Sequence, residues 1–255
     1  LSGLNANYCI DTLPVQLTGT PAGGTFAGPG VFGSTFVSFF AGVGSHDVTY
    51  TYQAPNGCTA TDTFMVTVDS LPQPLISGLA NAYCVNDTVA TLTGAPAGGT
   101  FSGLGISGST FDPAMAGVGG SYTISYTVTD GNGCQATSVD STVVADVPPV
   151  AFVGLANSYC LNDGSIDLIG APAGGTFSGN GVVGNQFYPD SVGIGNTLVT
   201  YSYTNAGGCT NSITRTVAVN DVPTVSLSGL DSEYCLDDEV VVLNGTPAGG
   251  AFSGP

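Results

Sequence analysis

The tract PAGGTFSG occurs at residues 96–103 and 172–179, with PAGGTFAG at 21–28 and PAGGAFSG at 247–254. Its prolines, Pro21, Pro96, Pro172 and Pro247, therefore recur every 75 or 76 residues. A fixed period of this size marks a repeat array, in which each unit is one small bead of secondary structure. On the same period fall the pairs Tyr8-Cys9, Tyr83-Cys84, Tyr159-Cys160 and Tyr234-Cys235, and a second cysteine series, Cys58, Cys134 and Cys209, each after a glycine. The chain reads as three full repeats, 1–73, 74–149 and 150–224, and a partial fourth, 225–255. It begins at Leu1 with neither an initiator Met nor a signal peptide, and so reads as an excerpt or processed product of something longer.

Within residues 74–149, PLISGL reads as a short strand entered from a proline, and DTVATLTG as a half-buried strand with Val89 and Leu92 inward. APAGGTFSG follows with the marks of a hairpin: Pro96 sets a corner, Gly98 and Gly99 supply positive φ, and Phe101 returns to the core. SYTISYTVTD and CQATSVDSTVVAD are long alternating strands, and Asn132-Gly133 between them signals an antiparallel turn. No helical period of any length occurs. The fold class predicted is all-β, a tandem array of immunoglobulin-like antiparallel β-sandwiches of about 75 residues each. The proline-rich linkers SLPQP, DVPPV and DVPTV read as semi-rigid spacers holding the beads in a row.

Seven cysteines divide as two per full repeat and one in the partial fourth. The pairing expected is within each repeat: Cys9 with Cys58, Cys84 with Cys134 and Cys160 with Cys209. Each bridge would close a loop of about 50 residues, worth roughly 4 kcal/mol by chain entropy. A bead of this size has a small core, so a staple would matter. The alternatives are reduced thiols or zinc, but no repeat carries the close CxxC or Cys/His spacing of a zinc site. Disulfides place the chain in an oxidising, extracellular compartment.

With one Arg (Arg215), no Lys and a formal charge of −17, the chain is a poor partner for nucleic acid or an anionic lipid surface. No apolar run reaches the length of a membrane span, so membrane insertion is not expected.

The pattern Tyr-Cys, LxGxPAGGTFSGxGV, FxPxxAGxG, VxYTYTxxxGC and VxVxxxP resembles the tandem Ig-like or PKD-like repeats of very large secreted or cell-surface adhesins of Bacteroidota. It is carried by Gly19, Gly94, Gly170 and Gly245, by Phe26, Phe101, Phe177 and Phe252, and by VTYTY, ISYTV and VTYSY. The resemblance spans all three full repeats and the partial fourth. It implies a surface or secreted adhesin or stalk exported by type IX secretion. It also brings the O-glycosylation pattern of Asp, then Ser or Thr, then an aliphatic residue or Thr, which marks Thr12, Ser70, Thr88, Ser141 and Ser191. Repeat one departs from the pattern where FVSFFAG stands for FDPAMAG and FYPDSVG, replacing the proline with Ser38 and adding Phe39 and Phe40.

Other chemistry is weaker. The PAGG loop lacks the lysine and helix start of a phosphate loop and reads as scaffold. His46, the only histidine, has no converging nucleophile and reads as an exposed loop residue, so no catalytic residue and no enzyme activity are expected. No cofactor is expected either, calcium being the weak exception: linker residues Asp69, Asp146 and Asp221, with Asp87, Asp163 and Asp238 after the first cysteine, are calcium candidates if they meet at the repeat junctions. Turn capping is the plainer role for these aspartates. Phe39 and Phe40 form a candidate contact patch between beads or chains, or fill the gap left by the missing proline.

The function expected is a structural and adhesive repeat segment of an extracellular bacterial stalk or filament. Its partners would be neighbouring repeats, copies of itself or a cell-surface ligand. The alternative is a glycan-binding module array attached to a secreted enzyme, with a surface glycan as partner.

Overall fold

The computed structural model describes residues 1–254, and their secondary structure is almost all strand. The chain divides into two compact units, Leu1–Asp146 and Val147–Pro255. The first unit holds two separate apolar cores. One is centred on Leu17, Phe36, Val48, Val66 and Val68, the other on Leu92, Phe111, Ile124 and Val144. The second unit has one core, built on Phe152, Leu168, Phe187, Val199, Tyr201 and Val217.

Each core lies between a four-stranded sheet and smaller pairings opposite it. In the first repeat the large sheet runs in the order Asn7–Cys9, Thr59–Asp69, Gly44–Gln53, Thr25–Ala27. Its two long strands pair antiparallel from Gly44↔Val68 to Gln53↔Thr59. Residues 82–145 and 158–220 repeat this order. Three short strands, Val15–Gln16, Thr35–Phe36 and Val31–Phe32, form the facing sheet of the first repeat.

Alternation along the long strands makes one face apolar and the other hydroxylated. Val48, Val66 and Val68 point into the core, while on the outer face Thr51 meets Thr61 at 2.9 Å. The same outward pair recurs as Thr127–Thr137 and Thr200–Thr214. One threonine pair thus recurs on the outer face of each large sheet, beside exposed apolar residues such as Met65, Val139 and Leu198. The single arginine is packed as well, its guanidinium 5.0 Å from the ring centre of Phe152.

One strand departs from the antiparallel expectation. Asn7–Cys9 pairs in parallel with the end of the long strand, Cys9 opposite Asp69, and Ala82–Cys84 and Ser158–Cys160 do the same against Ala145 and Asn220. The tyrosine before each cysteine explains the anchoring. Tyr8 packs against Phe36 at 5.4 Å, and its hydroxyl accepts the Asn5 N–H at 2.7 Å. Tyr83 and Tyr159 pack the same way on Phe111 and Phe187. With the tyrosine inward, period-two alternation turns the cysteine away from its own core.

PAGG is a corner between sheets, not the hairpin expected from sequence. Thr93–Ala95 pairs with Leu75–Ser77, whereas Thr100–Ser102 pairs with the long strand Ser121–Thr129, so the chain changes sheet at Pro96. The X–Pro bond is cis in all four copies. The two glycines have separate reasons. Gly98 has φ +96°, a region side chains rarely adopt. Gly99 is not in that region; a Cβ there would stand 2.5 Å from the Thr127 carbonyl oxygen. Tyr126 locks the corner, its hydroxyl donating to Pro96 O at 2.7 Å and accepting from Gly99 N at 2.9 Å. Tyr50 and Tyr201 make the same two bonds to Pro21 and Gly24 and to Pro172 and Gly175. The ring lies so close to Gly94 that a Cβ there would be 2.2 Å from Cζ.

These contacts set two expectations for urea unfolding. Tyr126→Phe removes the partner of a half-buried N–H and carbonyl and should cost about 1–3 kcal/mol. Gly94→Ala overpacks the ring and should cost about as much. An unchanged midpoint in both variants would show that the corner is not held through the tyrosine.

Candidate functional site

The chemistry-bearing residues of this chain are its cysteines, and the sheet register decides where they go. Cys9 sits opposite Asp69, the last residue of the long strand Thr59–Asp69, while Cys58 immediately precedes that strand's first residue. Eleven residues at about 3.3 Å each separate the two by roughly 36 Å. A disulfide needs Cα atoms within about 7 Å. The two cysteines of a repeat thus lie at opposite poles: one where the long strand ends, hereafter the exit pole, and one at the tip of the long hairpin. Cys84 and Cys134 stand in the same relation about Gln135–Ala145, and Cys160 and Cys209 about Thr210–Asn220.

The bridge in the first unit is accordingly between repeats. Cys9 is bonded to Cys134, with Cα atoms 5.5 Å apart and a sequence separation of 125. Cys84 and Cys209 each take part in a disulfide, while Cys58, Cys160 and Cys235 are free and exposed. None of the three pairings expected within repeats forms: Cys58 and Cys160 are free thiols, and Cys134 is taken by Cys9. Loop-closure entropy rises only from roughly 4 to about 5 kcal/mol for the longer loop. The larger consequence is positional, because the exit pole of one repeat is joined covalently to the hairpin tip of the next.

The hairpin that presents Cys134 is a five-residue loop built around Asp130. The Asp130 carboxylate accepts from Asn132 N and Cys134 N, both at 2.9 Å, and Asp130 N donates to Cys134 O. Gly133 has φ +88°. The Asn-Gly signal located the hairpin, but the aspartate holds it. In the first repeat Ala54 N donates to Cys58 O at 2.8 Å and Asn56 Oδ1 accepts from Cys58 N at 3.1 Å, so the same loop carries a free thiol.

The calcium candidates divide by position. Asp87 accepts from Cys84 N at 2.7 Å, Asp163 from Cys160 N at 2.7 Å and Asp238 from Cys235 N at 2.6 Å. Their own N–H groups return to the cysteine carbonyls, which is the geometry of a turn cap. Asp221 accepts from the following Val222 N, and Asp69 lends its carbonyl to Ile10 N. Asp146 ends the first unit. Among the described residues, one group of three places its ligand atoms within 4.8 Å of one another: Cys235, Asp237 and Asp238, all exposed.

His46 lies on the strand Gly44–Gln53 rather than in a loop, half-buried, and its Nε2 donates to Gly42 O at 2.7 Å. Of the modification candidates, Ser70, Thr88, Ser141 and Ser191 are exposed and Thr12 is half-buried. Phe39 and Phe40 are each 66% exposed on the short helix Ser38–Ala41, and Phe32 joins them edge-on at 5.4 Å from Phe40. The gap left by the missing proline is filled by Ser38, which is buried and donates to Ile10 O and Thr12 O. Pro113 and Pro189 occupy that buried place in the other repeats.

No protein family matches the chain, and no curated sequence does. Among solved structures it is similar to a Ca2+-stabilized adhesin that helps an Antarctic bacterium reach out and bind ice, at 13% identity over 86% of this chain and 72% of that one, with a TM-score of 0.34. A 1.5-MDa bacterial ice-binding adhesin aligns at 11% identity over 86% of this chain and 95% of that one, TM-score 0.32. Extracellular cadherin domains 3–6 of protocadherin gamma B2 align at 12% identity over 91% and 74%, TM-score 0.27.

Alkylation before reduction should label Cys58, Cys160 and Cys235. A non-reduced peptide map should then show Cys9 and Cys134 in one linked species. A Cys9–Cys58 species would restore the pairing within repeats.

Proposed function

We propose that this chain is a structural and adhesive repeat segment of an extracellular stalk or filament on a bacterial surface, in which covalent bonds between successive repeats carry load. The observation behind this reading is the Cys9–Cys134 bridge. Force applied to the first unit at its two ends enters through residues 1–9, crosses the disulfide and leaves through residues 134–146. Most core residues of both repeats, Leu17 to Val68 around Phe36 and Leu92 to Ile124 around Phe111, lie within the bypassed segment, while Tyr8 and Val144 lie outside it. Neither sandwich then needs to resist unfolding by its short strands alone.

Other features suit a projecting element. A threonine pair recurs on the outer face of each large sheet, and an oxidising compartment is required for the bridge to persist. No helix among the described residues is long and apolar enough to cross a membrane. Export by type IX secretion and O-glycosylation at the exposed Asp-Ser/Thr sites belong to this reading through the Bacteroidota resemblance.

Single-molecule stretching tests it, with handles attached at residues 1 and 146 of the chain. The oxidised protein should withhold the segment between the bonded cysteines, whose sequence separation is 125. At about 3.4 Å per residue, reduction should add roughly 40 nm of contour length. Equal lengths before and after reduction would refute the load-bypassing role.

A further inference from the structure

We propose that the PAGG corner of repeats one and two frames a binding cleft for one ring of a neutral saccharide, the larger of the two clefts being in repeat two. The proposal rests on the adhesive half of the reading above and gives it a ligand class.

The cleft of repeat two has a volume of about 430 Å³ and is bounded by residues 92–94, 97–101 and 108–109, with Tyr126 behind them. A Cβ on Gly98 or Gly108 would meet no atom within 4 Å, so both glycines open onto free space. Phe101 supplies a half-buried ring, held 4.5 Å from that of Tyr126, whose hydroxyl is already bound into the corner. Thr100–Ser102 is an edge strand of its sheet, paired only with Ser121–Thr129, and so its outer backbone groups have no partner strand. Repeat one repeats these parts in a cleft of about 250 Å³, lined by Gly24, Thr25, Phe26, Gly33 and Ser34. There Phe26 is held 4.6 Å from Tyr50.

Charge and shape select the occupant. No residue lining either cleft is ionisable, and the chain as a whole carries −17. An anionic ligand is repelled by that field, and a cationic one finds no carboxylate in the cleft to pair with. A pyranose ring offers an apolar C–H face, which suits the ring of Phe101, and a rim of neutral hydroxyls, which suit the backbone groups of the edge strand and the hydroxyl of Ser109. An added peptide strand would gain few ladder bonds from an edge of three residues, so the compact ring is favoured over an extended peptide. Like sites on successive repeats suit a polymer of like sugars, because linked sites gain avidity that neither has alone.

The test is to titrate the 15N-labelled full chain with neutral hexasaccharides of glucose, galactose, mannose and xylose in turn, and to follow the backbone amides by NMR. At least one sugar should shift Gly98, Gly99, Phe101 and Ser109 together, with their counterparts Gly24, Phe26 and Ser34 in repeat one. Gly108 has φ +60°, where asparagine is tolerated, and open space before it. Gly108→Asn should therefore fold, obstruct the second cleft and weaken binding there roughly ten-fold, while the repeat-one amides respond as before. The mapping itself needs no variant. Silence of these amides to all four sugars would overturn the assignment. So would shifts centred on the exposed Phe32, Phe39 and Phe40, a stronger response to a sulfated oligosaccharide or a proline-rich peptide, or undiminished binding at repeat two in a folded Gly108→Asn chain. A chain that binds none of the sugars yet still withholds its bypassed segment under load loses this inference and keeps the stalk reading.

Discussion

The parallel pairing of each Tyr-Cys strand with the far end of the long strand is the constraint on which the covalent architecture depends. It fixes one cysteine at the end of an eleven-residue strand whose beginning carries the other. A bond between them would have to cross the length of the sheet. Cys9 is bonded instead to the cysteine at the hairpin tip of the next repeat, and so a local choice of strand direction decides how these two beads are joined.

The corner at PAGG serves the same geometry from inside. By passing the chain from the small pairing at Leu75–Ser77 to the long sheet at Ser121–Thr129, it closes each sandwich over a core of modest size. One tyrosine satisfies both a carbonyl and an N–H there, in a place where leaving either unpaired would be costly. Glycine at 94 is what admits the ring. The corner is therefore scaffold, and the cysteines of the molecule lie at the poles.

Much of this was readable in the residues. SYTISYTVTD reads as a long alternating strand, and the structure has that strand, Ser121–Thr129, with Ile124 and Tyr126 buried on one face. Phe101 returned toward the core, where it packs at 4.5 Å on Tyr126. The hairpin after Thr129 followed from Asn132-Gly133. What misled was proximity in sequence. Val89, read as core, is half exposed because the strand there is only Ala90–Thr91, too short to carry the alternation back to it. PAGG looked like a hairpin because its flanks are strands, yet which sheet each joins depends on partners 20 to 30 residues away. The cysteine pairing failed for a related reason: loop entropy favours 50 and 125 residues almost equally, so the register had to decide, and a parallel edge strand of three residues leaves no periodic mark. Phe32 was missed as part of the exposed aromatic cluster because it stands seven residues before Phe39 and meets Phe40 only once the strand Val31–Phe32 is formed.

The opposite-pole placement is tested most directly by a distance. Spin labels on Cys9 and Cys58, in a chain whose other cysteines are replaced by serine, should give an electron–electron separation of about 3 to 4 nm, the length of the strand between them. A distribution centred below about 1.5 nm would bring both cysteines to one pole and contradict the account.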